Sequence, residues 1–138
     1  MGRGGDAREV DLVVIDGPPH AETEARIAVR AAGLVIVPMQ PSALDRWATE
    51  ATLGMVKAER RGALVVLNRV PPRSALPDRI AAELRQAGQA VALSRVGNRV
   101  ALVYAMEAGE GVVESAAASL AAAEIRALAE EVRRTAGG

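Results

Sequence analysis

Three places in the 138-residue chain set a polar side chain at the end of an apolar run, which carries a reactive group to the tip of a buried strand. The first is Val10–Asp16 (VDLVVID), followed by Gly17, Pro18 and Pro19. A carboxylate so placed can hold Mg²⁺, or the water around it, beside a phosphate. The alternative is a helix cap or a turn, since Asp-Gly and Gly-Pro both mark turns. The second is Leu34–Met39 (LVIVPM), running into Gln40, Pro41 and Ser42, where two prolines stop the sheet and launch a capped helix. The third, Ala63–Val70 (ALVVLNRV), carries Asn68 and then Arg69 near its end. The Asn68 amide either meets the donor and acceptor on an adenine edge or satisfies loop backbone. His20, the only histidine, follows two prolines and is expected as an exposed turn residue rather than a base.

Composition narrows the chemistry. Hydrophobic residues make up 50%, charged residues 25%, and 17 basic side chains balance 17 acidic ones, which excludes a disordered chain. Zero net charge excludes wholesale attraction to nucleic acid and leaves only local patches. Lys57 is the sole lysine, so the other basic residues are arginines, with planar and permanently charged donors. Without cysteine there is no disulfide, zinc ribbon or thiol nucleophile, and one histidine excludes a His-rich metal site. The N-terminal MGRGGDAREVD lacks the apolar core of a signal peptide, and no apolar run approaches the ~20 residues that span a bilayer. A soluble, cytoplasmic chain is expected. Trp47 and Tyr104, the only aromatics, make no stacking platform for single strands and are expected in the core or half-buried on helices.

The elements that must position these groups alternate along the chain. Val10–Asp16, Leu34–Met39, Ala63–Val70 and the weaker Ala90–Val96 are continuously apolar, as strands covered on both faces are. Helices are expected over Ala21–Ala32, from Ser42 to about Arg60, and over Pro77–Ala87, Arg99–Ala108 and Ser115–Thr135. In the first, Ala21, Ala25, Ala28, Val29 and Ala32 share a face. In the second, Leu44, Ala48, Ala51, Met55 and Ala58 do so, with Ser42 and Asp45 resembling a capping box. In the last, Ala121, Ile125, Leu128 and Val132 turn inward. The order β-α-β-α-β-α-β-α-α predicts one α/β domain with a mostly parallel sheet and helices on both faces.

Taken in order, these strings resemble the Walker B half of ParA/MinD-type deviant-Walker ATPases. The family pattern is an apolar strand, Asp-x-Pro-Pro, a helix, and a strand reading into Pro-x-x-Pro-Ser, as in IDGPP and PMQPS here. LVVLNRV is similar to the family's adenine-contacting strand, and SRVGNRVALVYAMEAGEGVVES to its late segment of arginine, short helix, glycine and a β-like V-x-E. The resemblance runs from about Val10 to Arg134 and is nearest to the small ParF-like plasmid partition proteins. It implies a three-layer P-loop fold and makes Asp16 the Walker B acid and the Mg²⁺ ligand through water. Gly17, Pro18 and Pro19 would form the switch-like turn near the γ-phosphate, and Asn68 would contact adenine. Arg99, with Arg95 beside it, would belong to a surface for non-specific DNA and present an exposed guanidinium. ATP and Mg²⁺ are the implied cofactors. A homodimer, a ParB-type protein and nucleoid DNA are the implied partners, with no membrane.

The family's Gly-rich phosphate loop, G-x-x-x-x-G-K-[ST], does not occur in this sequence. Gly2-Arg3-Gly4-Gly5 has neither a strand before it nor a Lys-Thr helix after it, and Lys57 falls mid-helix. The chain is therefore expected to be a P-loop-less, C-terminal portion of such an ATPase, and inactive alone. Two other readings fit the same residues: a non-enzymatic, degenerate ParA-like interaction module, and a biosynthetic synthetase on the same superfold.

Overall fold

The computed structural model describes residues 11–17 and 22–138. Its elements follow the order α1 (Glu22–Ala31), β1 (Leu34–Met39), α2 (Ala43–Ala58), β2 (Gly62–Leu67), α3 (Leu76–Gln86), α4 (Val100–Ala108), α5 (Val112–Ser115) and α6 (Leu120–Gly137). The strands β1 and β2 are parallel, with Leu34 opposite Gly62 and Met39 opposite Leu67. Both are apolar at successive positions, so both faces of the pair demand cover. Val37, Met39, Val65 and Leu67 point to one face and join Leu53 of α2 with Ile80, Ala81 and Leu84 of α3. Leu64 and Val66 point to the other, against Ala92 and the half-buried Leu128 and Val132 of α6. Full burial of side chains such as Val65 and Leu67, at 0% exposure, is worth roughly 1.5–3 kcal/mol each. A separate small cluster of Ala105, Val112, Ala121 and Ala122 ties α4 and α5 to the start of α6.

A third parallel element accompanies β2 over residues 90–97, bridged at Val65–Val91 and Val70–Gly97. Its ladder is interrupted. Ala92 donates to the Val65 carbonyl at 2.8 Å, but the next rung, the Leu67 carbonyl, is taken by Val96 at 3.0 Å. A regular parallel ladder advances two residues per rung and would have used Ser94. The expected strand Ala90–Val96 is thus a bulged edge, with two residues looped out.

Four further expectations are corrected. The foremost is Val10–Asp16, expected as the first strand. Val10 lies outside the described residues, and residues 12–17 form no strand; Leu12, Val13, Val14 and Ile15 are 49, 72, 84 and 50% exposed. Apolarity on both faces suits a central strand, but a strand exists only through a hydrogen-bonded neighbour, and none of the described segments supplies one. Second, α2 buries Thr49, Leu53 and Val56, whereas Leu44 of the expected stripe is exposed. Leucine and valine release more apolar surface than the alanines of the competing stripe, so they win the sheet. Third, Trp47 and Tyr104 stand exposed rather than half-buried. Fourth, the V-x-E stretch is the short helix α5, and the long final helix begins at Leu120, where Ser119 accepts from the Ala122 amide.

Helix ends obey local chemistry. Ser42 caps α2 by accepting from the Asp45 amide at 3.2 Å, while the Asp45 carboxylate accepts from Gln40. After α2, Arg60 holds a left-handed φ of 56° while Arg61 reaches back to the Val56 carbonyl at 3.1 Å. After α3, Gly88 does the same at φ 85°, with Gln89 reaching Leu84 at 3.0 Å. The two turns share one geometry, yet only one has the residue without a Cβ. Arg60→Gly should therefore raise the free energy of unfolding by about 0.5–1 kcal/mol, and Gly88→Ala should lower it by about 1 kcal/mol, measured by urea denaturation. Loss of stability in Arg60→Gly would contradict the argument.

The exposed run at residues 12–15 and the outer edge of β1 leave apolar groups and backbone open to another chain. Concentration-dependent association is expected by light scattering, and Val14→Lys should reduce it. A wild-type chain that stays monomeric at high concentration would refute this.

Candidate functional site

The carboxyl ends of β2 and of residues 90–97 lie side by side, where an open α/β sheet exposes its crevice. There, Val70 donates to the Val96 carbonyl at 3.0 Å and Asn98 donates to Val70 at 3.1 Å, locking the two tips together. A depression of about 160 Å³ opens between Val70, Pro71 and Pro72 on one side and Arg95, Gly97, Asn98, Arg99 and Glu124 on the other.

Asn68 and Arg99 of the expected site residues fall at this end of the sheet, and Arg95 borders it. Asn68 is half-buried, and its Oδ1 accepts from the Arg69 amide at 2.9 Å, where Arg69 turns left-handed at φ 50°. The acceptor side of its amide is thus engaged in shaping the turn. Arg99 precedes α4 as its N-cap residue. Its side chain is 38% exposed, and its guanidinium is paired with Glu124, Nη2 to Oε1 at 2.7 Å, rather than standing free. Arg95 is paired with Asp78 at 2.7 Å. Asp16 and Gly17 lie on the unpaired N-terminal segment, both exposed, and no described residue hydrogen-bonds to Asp16. Pro18, Pro19 and His20 lie outside the described residues. Of the expected site residues, Arg95 and Arg99 line the depression, Asn68 lies at the end of β2, and Asp16 is exposed on the N-terminal segment.

Two glutamates of α6 organise this end and escaped the sequence reading. Glu124 Oε2 accepts from the Gly97 amide at 3.1 Å while Oε1 holds Arg99. Glu131 accepts from the amides of Leu93 and Ser94 at 2.7 and 2.8 Å, and the Ser94 N–H is the one the bulge takes out of the ladder. Burial raises the Glu124 carboxyl, but Arg99 and the Gly97 amide outweigh it and hold the group below the ordinary glutamate range. Burial likewise raises Glu131, and the Ser94 and Leu93 donors, with the charge of Arg134, turn the balance downward. The signal was present: Glu124 and Glu131 interrupt the same helical face as Leu128 and Val132, and acids on an apolar face need partners. Gly97 lies close under the Arg99 side chain. A Cβ there would lie 2.7 Å from Nε of Arg99, whose guanidinium folds back over the backbone.

Chemically, the site can offer guanidinium and amide donors to an anion, each directed in this structure to a carboxylate of the chain. It does not fit a nucleotide triphosphate with Mg²⁺. Such a group needs clustered backbone donors and a lysine around its charge, and Asp16 is a single exposed carboxylate. Among the described residues, no three of His, Cys, Asp or Glu gather as metal ligands. Among the same residues, no helix is long and apolar enough to cross a membrane.

No family model matches the chain. The sequence is similar to the "Maintenance of carboxysome distribution protein A" of Halothiobacillus neapolitanus, at 30% identity over 129 residues, covering 88% of this chain. It spans 60% of that protein's length. The likeness supports a ParA/MinD-like relationship.

Both depressed glutamates carry a sign. A carboxyl whose folded pKa is lowered contributes stability that is present above its unfolded pKa and lost as pH falls through the folded one. Acidification below the ordinary glutamate range should therefore lower the melting temperature, and Glu131→Gln should shrink that dependence. Glutamine keeps one acceptor and sets a donor against the second amide, costing about 1 kcal/mol at neutral pH. Calorimetry from pH 7 to pH 3 checks both, and an unchanged acid slope in the variant would count against the assignment.

Proposed function

We propose that this chain is a portion of a ParA-family partition or positioning ATPase, with the three-layer P-loop fold of that family. Support comes from the likeness to a carboxysome distribution protein together with the ordered series IDGPP, PMQPS, LN and NRVAL inside it. That series, four short strings in family order along one chain, carries the proposal. On this reading Asp16 is the Walker B acid, Gly17, Pro18 and Pro19 form its turn, and Asn68 faces adenine. Arg99 and Arg95 contribute to a surface for the phosphates of non-specific DNA. ATP with Mg²⁺, a second copy of the chain and a ParB-type partner belong to the whole protein, in the cytoplasm and on the nucleoid.

The 138-residue chain alone should neither hydrolyse ATP nor bind it tightly. Phosphoryl transfer is catalysed almost wholly by positioning and charge stabilisation. The residues assigned here supply one carboxylate, which repels phosphate unless a metal intervenes, and one amide. A neutral hydrogen bond is worth only ~0.5–1.5 kcal/mol, about tenfold in affinity at best. Isothermal titration with ATP and Mg²⁺, beside Asp16→Ala, decides the point: no heat is expected from either. Micromolar binding abolished in the variant would mean that the chain keeps a working phosphate site. For the DNA surface, Arg99→Ala should weaken duplex binding on any base sequence and flatten the logarithmic salt slope by ~0.9, one phosphate contact. Unchanged affinity removes Arg99 from that surface.

A further inference from the structure

The donors at the tip of residues 90–97 are already committed to a carboxylate. Glu124 receives the Gly97 amide at 3.1 Å and the Arg99 guanidinium at 2.7 Å, beside the first turn of α4. A guanidinium and a backbone N–H converging on two oxygens of one anion is the arrangement that proteins use for phosphate as well as for carboxylate. The neighbouring Arg95 is committed in the same way, to Asp78. The cationic groups bordering the depression are therefore each neutralised from within, in keeping with a chain of zero net charge.

We propose that Glu124 is a built-in competitor for a DNA phosphate at Arg99, so that duplex binding requires the Arg99–Glu124 pair to open. The inference rests on the reading that Arg99 meets DNA, and it adds the residue that restrains that contact. Three observations carry it. Glu124 occupies with its own oxygens the positions toward which Gly97 and Arg99 donate. The pair is reachable by solvent, with side chains 38% and 22% exposed, so a polyanion can exchange for the carboxylate without unfolding the helix. The guanidinium is folded back over Gly97 rather than extended from the surface, so releasing Glu124 frees it to swing outward.

The test is duplex binding by fluorescence anisotropy over a range of salt, with wild type, Glu124→Gln, Arg99→Ala and the double variant. The glutamine side chain keeps one oxygen for the Gly97 amide but has no charge to hold Arg99. Glu124→Gln should bind duplex about threefold to tenfold tighter. The double variant should fall back to the affinity of Arg99→Ala, because the gain runs through Arg99. If Glu124→Gln binds no tighter while Arg99→Ala binds more weakly, the DNA surface stands and the competitor role is overturned. If Arg99→Ala matches wild type, the DNA reading of Arg99 fails and this inference with it. A second measurement does not need the variants to fold. In wild-type protein titrated with duplex, the Gly97 amide and Arg99 Nε resonances should shift together as Glu124 is displaced. Resonances that stay fixed while DNA binds would overturn the proposal.

Discussion

The structure turns on the backbone of a bulged edge. A chain segment that leaves its ladder exposes amide donors that neither sheet nor helix can satisfy, and a partly buried amide without an acceptor is costly. Leu93, Ser94 and Gly97 carry such donors, and α6 provides the acceptors. Glu131 takes the amides of Leu93 and Ser94, Glu124 takes that of Gly97, and between them Leu128 and Val132 meet the apolar face of β2. One helical face therefore performs two tasks at once. Its aliphatic side chains cover the sheet, while its carboxylates complete the hydrogen bonding of the edge strand.

The same device fixes the candidate site. Because Glu124 is one turn before Leu128 on α6, docking the helix on the sheet brings its carboxylate to the tip of residues 90–97. There it meets Arg99 at the mouth of α4. Fold stability and the candidate site thus draw on the same donors. Elsewhere, charge serves mainly to tie helices to one another: Arg26 and Arg30 of α1 both reach Glu59 after α2, and Arg46 of α2 reaches Glu83 of α3. Glu59 is held below the ordinary glutamate range by Arg30, against the opposing effect of burial and with help from Arg26. These contacts are surface ties, of small net worth each, that orient helices already placed by Leu53, Ile80 and Leu84.

Much of the parallel α/β pattern was legible in the sequence. The runs LVIVPM and ALVVL became β1 and β2, since continuous β-branched apolarity has few other uses in a chain of this size. The Ser42 cap, the Gly88 stop and the Arg99–Ala108 helix were set by local chemistry and emerged within a residue or two. The departures have physical reasons. VDLVVID has the composition of an interior strand, but composition cannot provide the neighbour to which a strand must bond. The helix α2 carries two stripes with similar apolar spacing, and only contact with the sheet selects Leu53 and Val56 over Ala48 and Ala51.

By itself the sequence determined the strands β1 and β2 and most of the helices, where several helices are capped, and which residue types are available for chemistry. All of these depend on interactions within a few residues, which a chain carries wherever it goes. Tertiary structure alone decided that Glu124 would meet Arg99, 25 residues away, and that Glu131 would replace a missing rung at Ser94, 37 residues away. Those encounters depend on how α6 lies across β2, and so on the summed burial of Leu64, Val66, Leu128 and Val132. The pairing of a partly buried carboxylate is a property of the docked helix, and no spacing within the helix encodes the identity of its partner.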